Sequence, residues 1–116
     1  MKLYDLSLLE AMGKNDASFI VDILRMFLES IPEDLNQLNK TFVDNDWNQF
    51  GKAAHKLKAT IDTLGVQSIS DTIRQIEASC KSDVIAKQDL QVDVNKVTSV
   101  LEQVYSELNE KYSKGN

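Results

Sequence analysis

The chain has little that would break a helix. Its 116 residues include one proline, Pro32, and four glycines, Gly13, Gly51, Gly65 and Gly115. So few breakers leave little room for the many turns of an all-β fold. There is one cysteine, Cys80, so no internal disulfide can form, and a reducing, cytoplasmic location is the expectation. No apolar run approaches the ~20 residues of a membrane span, and the N-terminal stretch MKLYDLSLLEAM lacks the apolar core and small-residue cleavage site of a signal peptide. Positive charge is also in deficit: 13 basic against 18 acidic side chains give a net charge of −5. An acidic surface repels nucleic-acid backbones and anionic lipid, which argues against both as partners.

What is present is helical periodicity in a chain of single-domain size, 1–116, with 42% hydrophobic and 27% charged residues. Leu6, Leu9 and Met12 suggest a short first helix stopped at Gly13. Asn15 or Asp16 can cap a second, carrying Phe19, Ile20, Ile23, Leu24, Phe27 and Ile31. Ser30-Ile31-Pro32-Glu33 reads as a capping box that opens a third helix, with the proline in its first turn and a stripe of Leu35, Leu38 and Phe42. Asp46 caps a fourth, in which Trp47, Phe50, Ala54, Leu57, Ile61 and Leu64 form an unbroken seam ended by Gly65. The spacing recurs in Val66, Ile69, Ile73, Ile76 and Cys80, and again from Leu90 to Leu108. Short connections make such helices antiparallel neighbours. The expected fold is all-α, an up-down-up-down antiparallel four-helix bundle with the shorter N-terminal helices covering one end.

The single histidine lies in Gly51-Lys52-Ala53-Ala54-His55-Lys56-Leu57-Lys58-Ala59. At ~100° per residue it points well away from the seam of Ala54, Leu57 and Ile61. Its neighbours at i±4, directly above and below it, are Gly51 and Ala59. Both are nearly without side chain, so a partner could approach the ring closely. A mid-helix glycine costs about 1 kcal/mol against alanine, and access to His55 would explain Gly51. Between Asp46 and Asp62 the chain has no acid, while Lys52, Lys56 and Lys58 are all present. Lys58 is one turn from His55, and Lys52 is at i−3. This setting suits a phosphoryl group of about two negative charges, for which positioning and charge neutralisation are most of the protein's task. Imidazole, with an unperturbed pKa of about 6.5, offers a neutral nucleophilic nitrogen near pH 7 and makes a good leaving group once phosphorylated. Each feature alone has an ordinary reading: an outward histidine is a common surface residue, and a lysine run is a common solvated face.

Together these residues resemble the histidine phosphotransfer (HPt) domain family. The family's histidine, lysine three residues on and small residue correspond to His55, Lys58 and Ala59, followed by its Leu-Gly at Leu64-Gly65. Phe27-Leu28, Pro32-Glu33, Leu35/Leu38, Asp46-Trp47 and Ile76-Glu77 match the flanks, so the resemblance spans about Asp5 to Leu108. Ala59 stands where the family usually has glycine, and Thr60 where serine or alanine is frequent. The resemblance implies that His55 accepts and donates the phosphoryl group and that Lys58 neutralises its oxygens. Lys56 is a weaker candidate for that task or for partner contact. Glu77 is a candidate to orient the other ring nitrogen, or is simply a flanking solvated carboxylate. It further implies partners in response-regulator receiver domains and a hybrid sensor histidine kinase, with no cofactor of the chain's own. Mg²⁺ is expected in the receiver, and no autokinase activity, since no Gly-rich phosphate loop is visible. A monomer is the default.

Three rivals compete with this reading. A non-catalytic helical adaptor, including a degenerate HPt fold, would bind partners without chemistry. A metal protein is disfavoured by one histidine and no paired carboxylate motif. A Cys80 hydrolase is disfavoured because Cys80 continues an apolar seam, where an inert buried thiol is expected.

Overall fold

The computed structural model describes residues 2–14 and 16–112, and the described residues form helices and turns without a strand. The helices are α1 (Ser7–Met12), α2 (Ala17–Val43), α3 (Trp47–Thr63), α4 (Ser70–Ser79) and α5 (Lys87–Tyr112), with one 3₁₀ turn at Gln67–Ile69 before α4. Neighbours in the chain are neighbours in space: α2 packs on α3, α3 on α4 and α4 on α5, and α5 closes the ring against α2. The seams expected on α3 and α5 are the core. Phe50, Ala54, Leu57, Ile61 and Leu64 of α3 and Leu90, Val94, Val97, Leu101, Val104 and Leu108 of α5 are all buried in one core. Trp47 is half-buried and packs edge-on against Phe42 and Phe50 at centroid distances of 5.9 and 5.6 Å.

Caps fix the ends of the helices. The Asp16 carboxylate accepts the N–H groups of Ser18 and Phe19, so Asp16 is the α2 cap; Asn15, the other candidate, lies outside the described residues. Asp46 accepts the N–H of Gln49 and starts α3. Gly65 leaves α3 at φ +62°, and a Cβ there would lie 2.3 Å from the Asp5 carbonyl oxygen. The chain needs glycine at that point both for the left-handed turn and for the close pass of residue 5, whose N–H donates to the Leu64 carbonyl at 2.9 Å.

One expectation about the elements is overturned. No helix starts at Pro32; α2 runs through it for 27 residues. The reason is a seam that crosses the proline. Leu24, Leu28, Ile31, Leu35, Leu38 and Phe42 are spaced 4-3-4-3-4 and all buried, whereas Pro32 is on the solvent side. The proline removes one N–H, the donor to Leu28, and burial on both sides of the break outweighs that loss. A single short helix, α1, therefore precedes the ring, and α2 belongs to the ring. Two further expectations change. Met12 and Phe19, counted on inward stripes, are exposed at 58% and 39%. Cys80 is half-buried where full burial was expected.

Candidate functional site

The site sits on the mid-section of α3, where the helix is held on both sides. Ala53 and Ala54 pack inward and are buried, and Leu57 is fully buried one turn on. Their small volume brings α3 close to its neighbours, while Leu57 fixes its rotation. His55, out of phase with these residues, stands with its side chain 71% exposed.

Glu77 on α4 organises the polar atoms. One carboxylate oxygen, Oε2, lies 2.5 Å from His55 Nδ1, and the other, Oε1, accepts from the Lys58 ammonium at 2.7 Å. Glu77 itself is only 16% exposed. The Lys58 and His55 hydrogen bonds, in that order, hold its carboxyl below the usual carboxylate range against the opposing effect of burial. An ionised carboxylate can only accept, so in the neutral ring the proton is on Nδ1 and the lone pair is on Nε2. Nε2 has no protein partner among the described residues. A second α3–α4 bridge lies one to two turns away, where Arg74 donates twice to the Asp62 carboxylate at 3.1 and 2.8 Å.

The lysines are not gathered in one patch. Lys58 belongs to the Glu77 bridge. Lys56 turns the other way, toward α2, and its ammonium is 2.9 Å from the Asp34 carboxylate. That pairing raises the Lys56 pKa through hydrogen bond and charge. The acid-free window from Asp46 to Asp62 is thus free of acids in the sequence but not in space, because α2 and α4 supply one each. Lys52 remains exposed without an ion pair among the described residues.

Gly51 and Ala59 are not equivalent flanks. Ala59 is exposed, as an access position should be. Gly51 is half-buried and faces Cys80 of α4; a Cβ there would lie 3.5 Å from Cys80 Cβ, an ordinary contact. Gly51 and Cys80 line a groove of about 550 Å³ that runs from His55 toward Trp47, with Lys52 and Lys81 on its walls. Burial, followed by the charge of Glu77, pushes the Cys80 thiol pKa up, the opposite of an activated nucleophile. His55, Glu77 and Cys80 share this groove yet form no group able to hold a metal ion. Lys81 and Asp34 went unnoticed in the sequence. Lys81 was legible, since it follows Glu77 by four residues, whereas Asp34 needed the α2–α3 packing.

A ring of helices with one exposed, carboxylate-held histidine on the outer face of α3 defines the class: an all-helical bundle carrying a surface imidazole. The comparisons agree. The Hpt domain family model matches residues 22–111, and the chain belongs to the Hpt domain family. Members of the family take part in phosphotransfer in two-component signalling and interact with response regulators and histidine kinases. The fold is similar to that of the Hpt domain of a sensor hybrid histidine kinase from Shewanella, with a TM-score of 0.81 at 20% identity, covering 97% of this chain and 95% of that one. No curated protein matches the chain. Among the described residues no helix is long and apolar enough to cross a membrane.

Proposed function

We propose that this chain relays a phosphoryl group between aspartates of receiver domains, carrying it as phosphohistidine on Nε2 of His55. The observation that carries this reading is the division of labour on one ring. Glu77 accepts the hydrogen bond from Nδ1–H, and the opposite nitrogen faces solvent with its lone pair. In the forward step Nε2 attacks the phosphorus of an aspartyl phosphate, the P–O bond to the aspartate breaks, and the aspartate leaves as a carboxylate. The ring then carries positive charge, which the Glu77 carboxylate balances across Nδ1–H. The reverse step onto a second receiver restores the neutral ring.

Lys58 supplies the charge for the phosphoryl oxygens. Its ammonium already stands beside the ring in the Glu77 bridge, so a swing of its flexible stem brings it to the new anion. Glu77 is a positioning residue, since it acts through the ring and through Lys58. Ala59 keeps the approach to His55 open, Gly51 keeps the adjoining groove clear, and Lys52 meets the partner. Lys56, bound to Asp34, has no part in the chemistry. The Mg²⁺ and the acidic pocket belong to the receiver, a hybrid histidine kinase stands upstream, and the chain works as a cytoplasmic monomer without autokinase activity.

The test is a transfer assay with receiver domains of the same organism, phosphorylated from a radiolabelled acyl phosphate. Wild type should take up label that is stable to alkali and labile to acid, and His55→Gln should take up none. Equal labelling of His55→Gln, or no labelling of wild type by any receiver, would end the relay reading and favour a non-catalytic adaptor.

A further inference from the structure

The net charge of −5 poses a problem for a protein whose partner presents a phosphoryl group on a carboxylate: two negative surfaces have to meet. The chain therefore needs locally uncompensated cations near His55. Four lysines are close to the site along α3 and at the end of α4, and two of them are already neutralised. Lys56 is paired with Asp34 at 2.9 Å and Lys58 with Glu77 at 2.7 Å. Lys52 and Lys81 make no ion pair among the described residues, and both are exposed. Lys52 comes from α3 and Lys81 from the turn that follows α4, and both reach the walls of one groove, which has His55 at one end and the uncharged Trp47, Gly51 and Cys80 along it. Glu77 is the one acid lining that groove, and both its oxygens are taken up by His55 and Lys58.

We infer that Lys52 and Lys81 form a cationic gate on this groove that captures the acidic, phosphoryl-bearing edge of the partner and guides it to His55. The inference rests on the relay reading above and adds to it the residues that govern encounter. The groove is the place where an acidic protrusion finds two cations and no free carboxylate. Its uncharged floor lets that protrusion settle without burying a like charge. Lys58 acts later, on the group being transferred, and Lys56 does not act on the partner at all.

Steering and chemistry separate experimentally. Lys52→Gln/Lys81→Gln is compared with Lys40→Gln/Lys96→Gln, which removes the same charge from α2 and α5. The first donor is a receiver domain loaded from radiolabelled acetyl phosphate, at low and at high ionic strength. The second is phosphoramidate, a small donor that gives phosphohistidine and ammonia without any protein surface. The gate variant should take the phosphoryl group from the receiver about 5- to 10-fold more slowly at low ionic strength. That deficit should shrink as salt screens it. Its reaction with phosphoramidate should match wild type, and the distant double variant should stay close to wild type with both donors. A gate variant as fast as wild type with the receiver, or a distant variant equally slow, would overturn the inference while the relay reading stood. A gate variant slow with phosphoramidate would also overturn it, by placing the lysines in the chemistry. Wild type labelled by phosphoramidate but by no receiver would remove the relay reading, and the gate with it.

Discussion

Lys56 follows His55 directly in the chain, yet its ammonium is committed to Asp34 on another helix, 2.9 Å away. Asp34 is 7% exposed, and its second carboxylate oxygen is buried without a hydrogen-bond partner, so the carboxylate depends on this one cation. Lys56→Gln should therefore act on stability. The lysine end is open to solvent, which limits the effect to about 1 kcal/mol, read as a lower urea midpoint at unchanged slope. Transfer to His55 should stay within about twofold of wild type, since a change of ~0.4 kcal/mol is all that a factor of two represents. A loss of transfer with full stability would return Lys56 to the site.

Glu77 is expected to affect both transfer and the acid limb of stability. Glu77→Ala removes the acceptor for Nδ1–H and frees Lys58, and transfer should fall about tenfold, the lower end of what the outer partner that orients a histidine contributes. Glu77→Gln keeps an acceptor for the ring and should recover part of the rate. The pH effect follows from the lowered carboxyl pKa, caused first by Lys58 and then by His55. A carboxyl whose folded pKa is depressed stabilises the fold fully above its unfolded value, about 4.3, and that contribution is lost as pH falls through the folded value. Melting temperatures should thus drop more steeply below about pH 4 in wild type than in Glu77→Gln. Parallel acid limbs would show that the bridge does not persist in solution.

The glycines separate access from backbone need. At Gly51 a Cβ would meet Cys80 at an ordinary 3.5 Å, and the helix gains from alanine. Gly51→Ala should raise stability by about 0.5–1 kcal/mol, and it should slow receiver-dependent transfer if the groove is used. At Gly65 the φ of +62° and the 2.3 Å approach to Asp5 oppose any side chain. Gly65→Ala should lower stability by about 2 kcal/mol or more, through strain and the displaced N-terminal strap. Chemical denaturation of the two variants checks both signs.

Much of this was legible in the residues because α3 and α5 bury a single repeating stripe, so the out-of-phase position of His55 followed from counting. Glu77 was reachable through the Ile76-Glu77 match, but its double contact was not, because 22 residues separate it from His55 and only the α3–α4 register brings them together. The ion pairing of Lys56 and Lys58 was out of reach for the same reason. Charge read along one helix omits the acids that packing brings in from α2 and α4. The break expected at Pro32 came from weighing a local signal above a seam that continues through it.

That seam makes Pro32 a quantitative test. In the first turn of a helix a proline costs nothing, and its replacement by alanine would leave stability unchanged or slightly reduced. In the middle of a 27-residue helix it removes the N–H that Leu28 would use and crowds the preceding turn. Pro32→Ala should therefore stabilise the protein. The full mid-helix penalty is about 3 kcal/mol, but α2 has adapted to its proline and the side chain is exposed, so about 1–2 kcal/mol is the expected gain. The site lies on α3, so the transfer rate should not change. Urea denaturation of the variant reads the result directly. A neutral or destabilising outcome would mean that α2 is divided in solution, with Ile31 and Leu35 held by two helices rather than one.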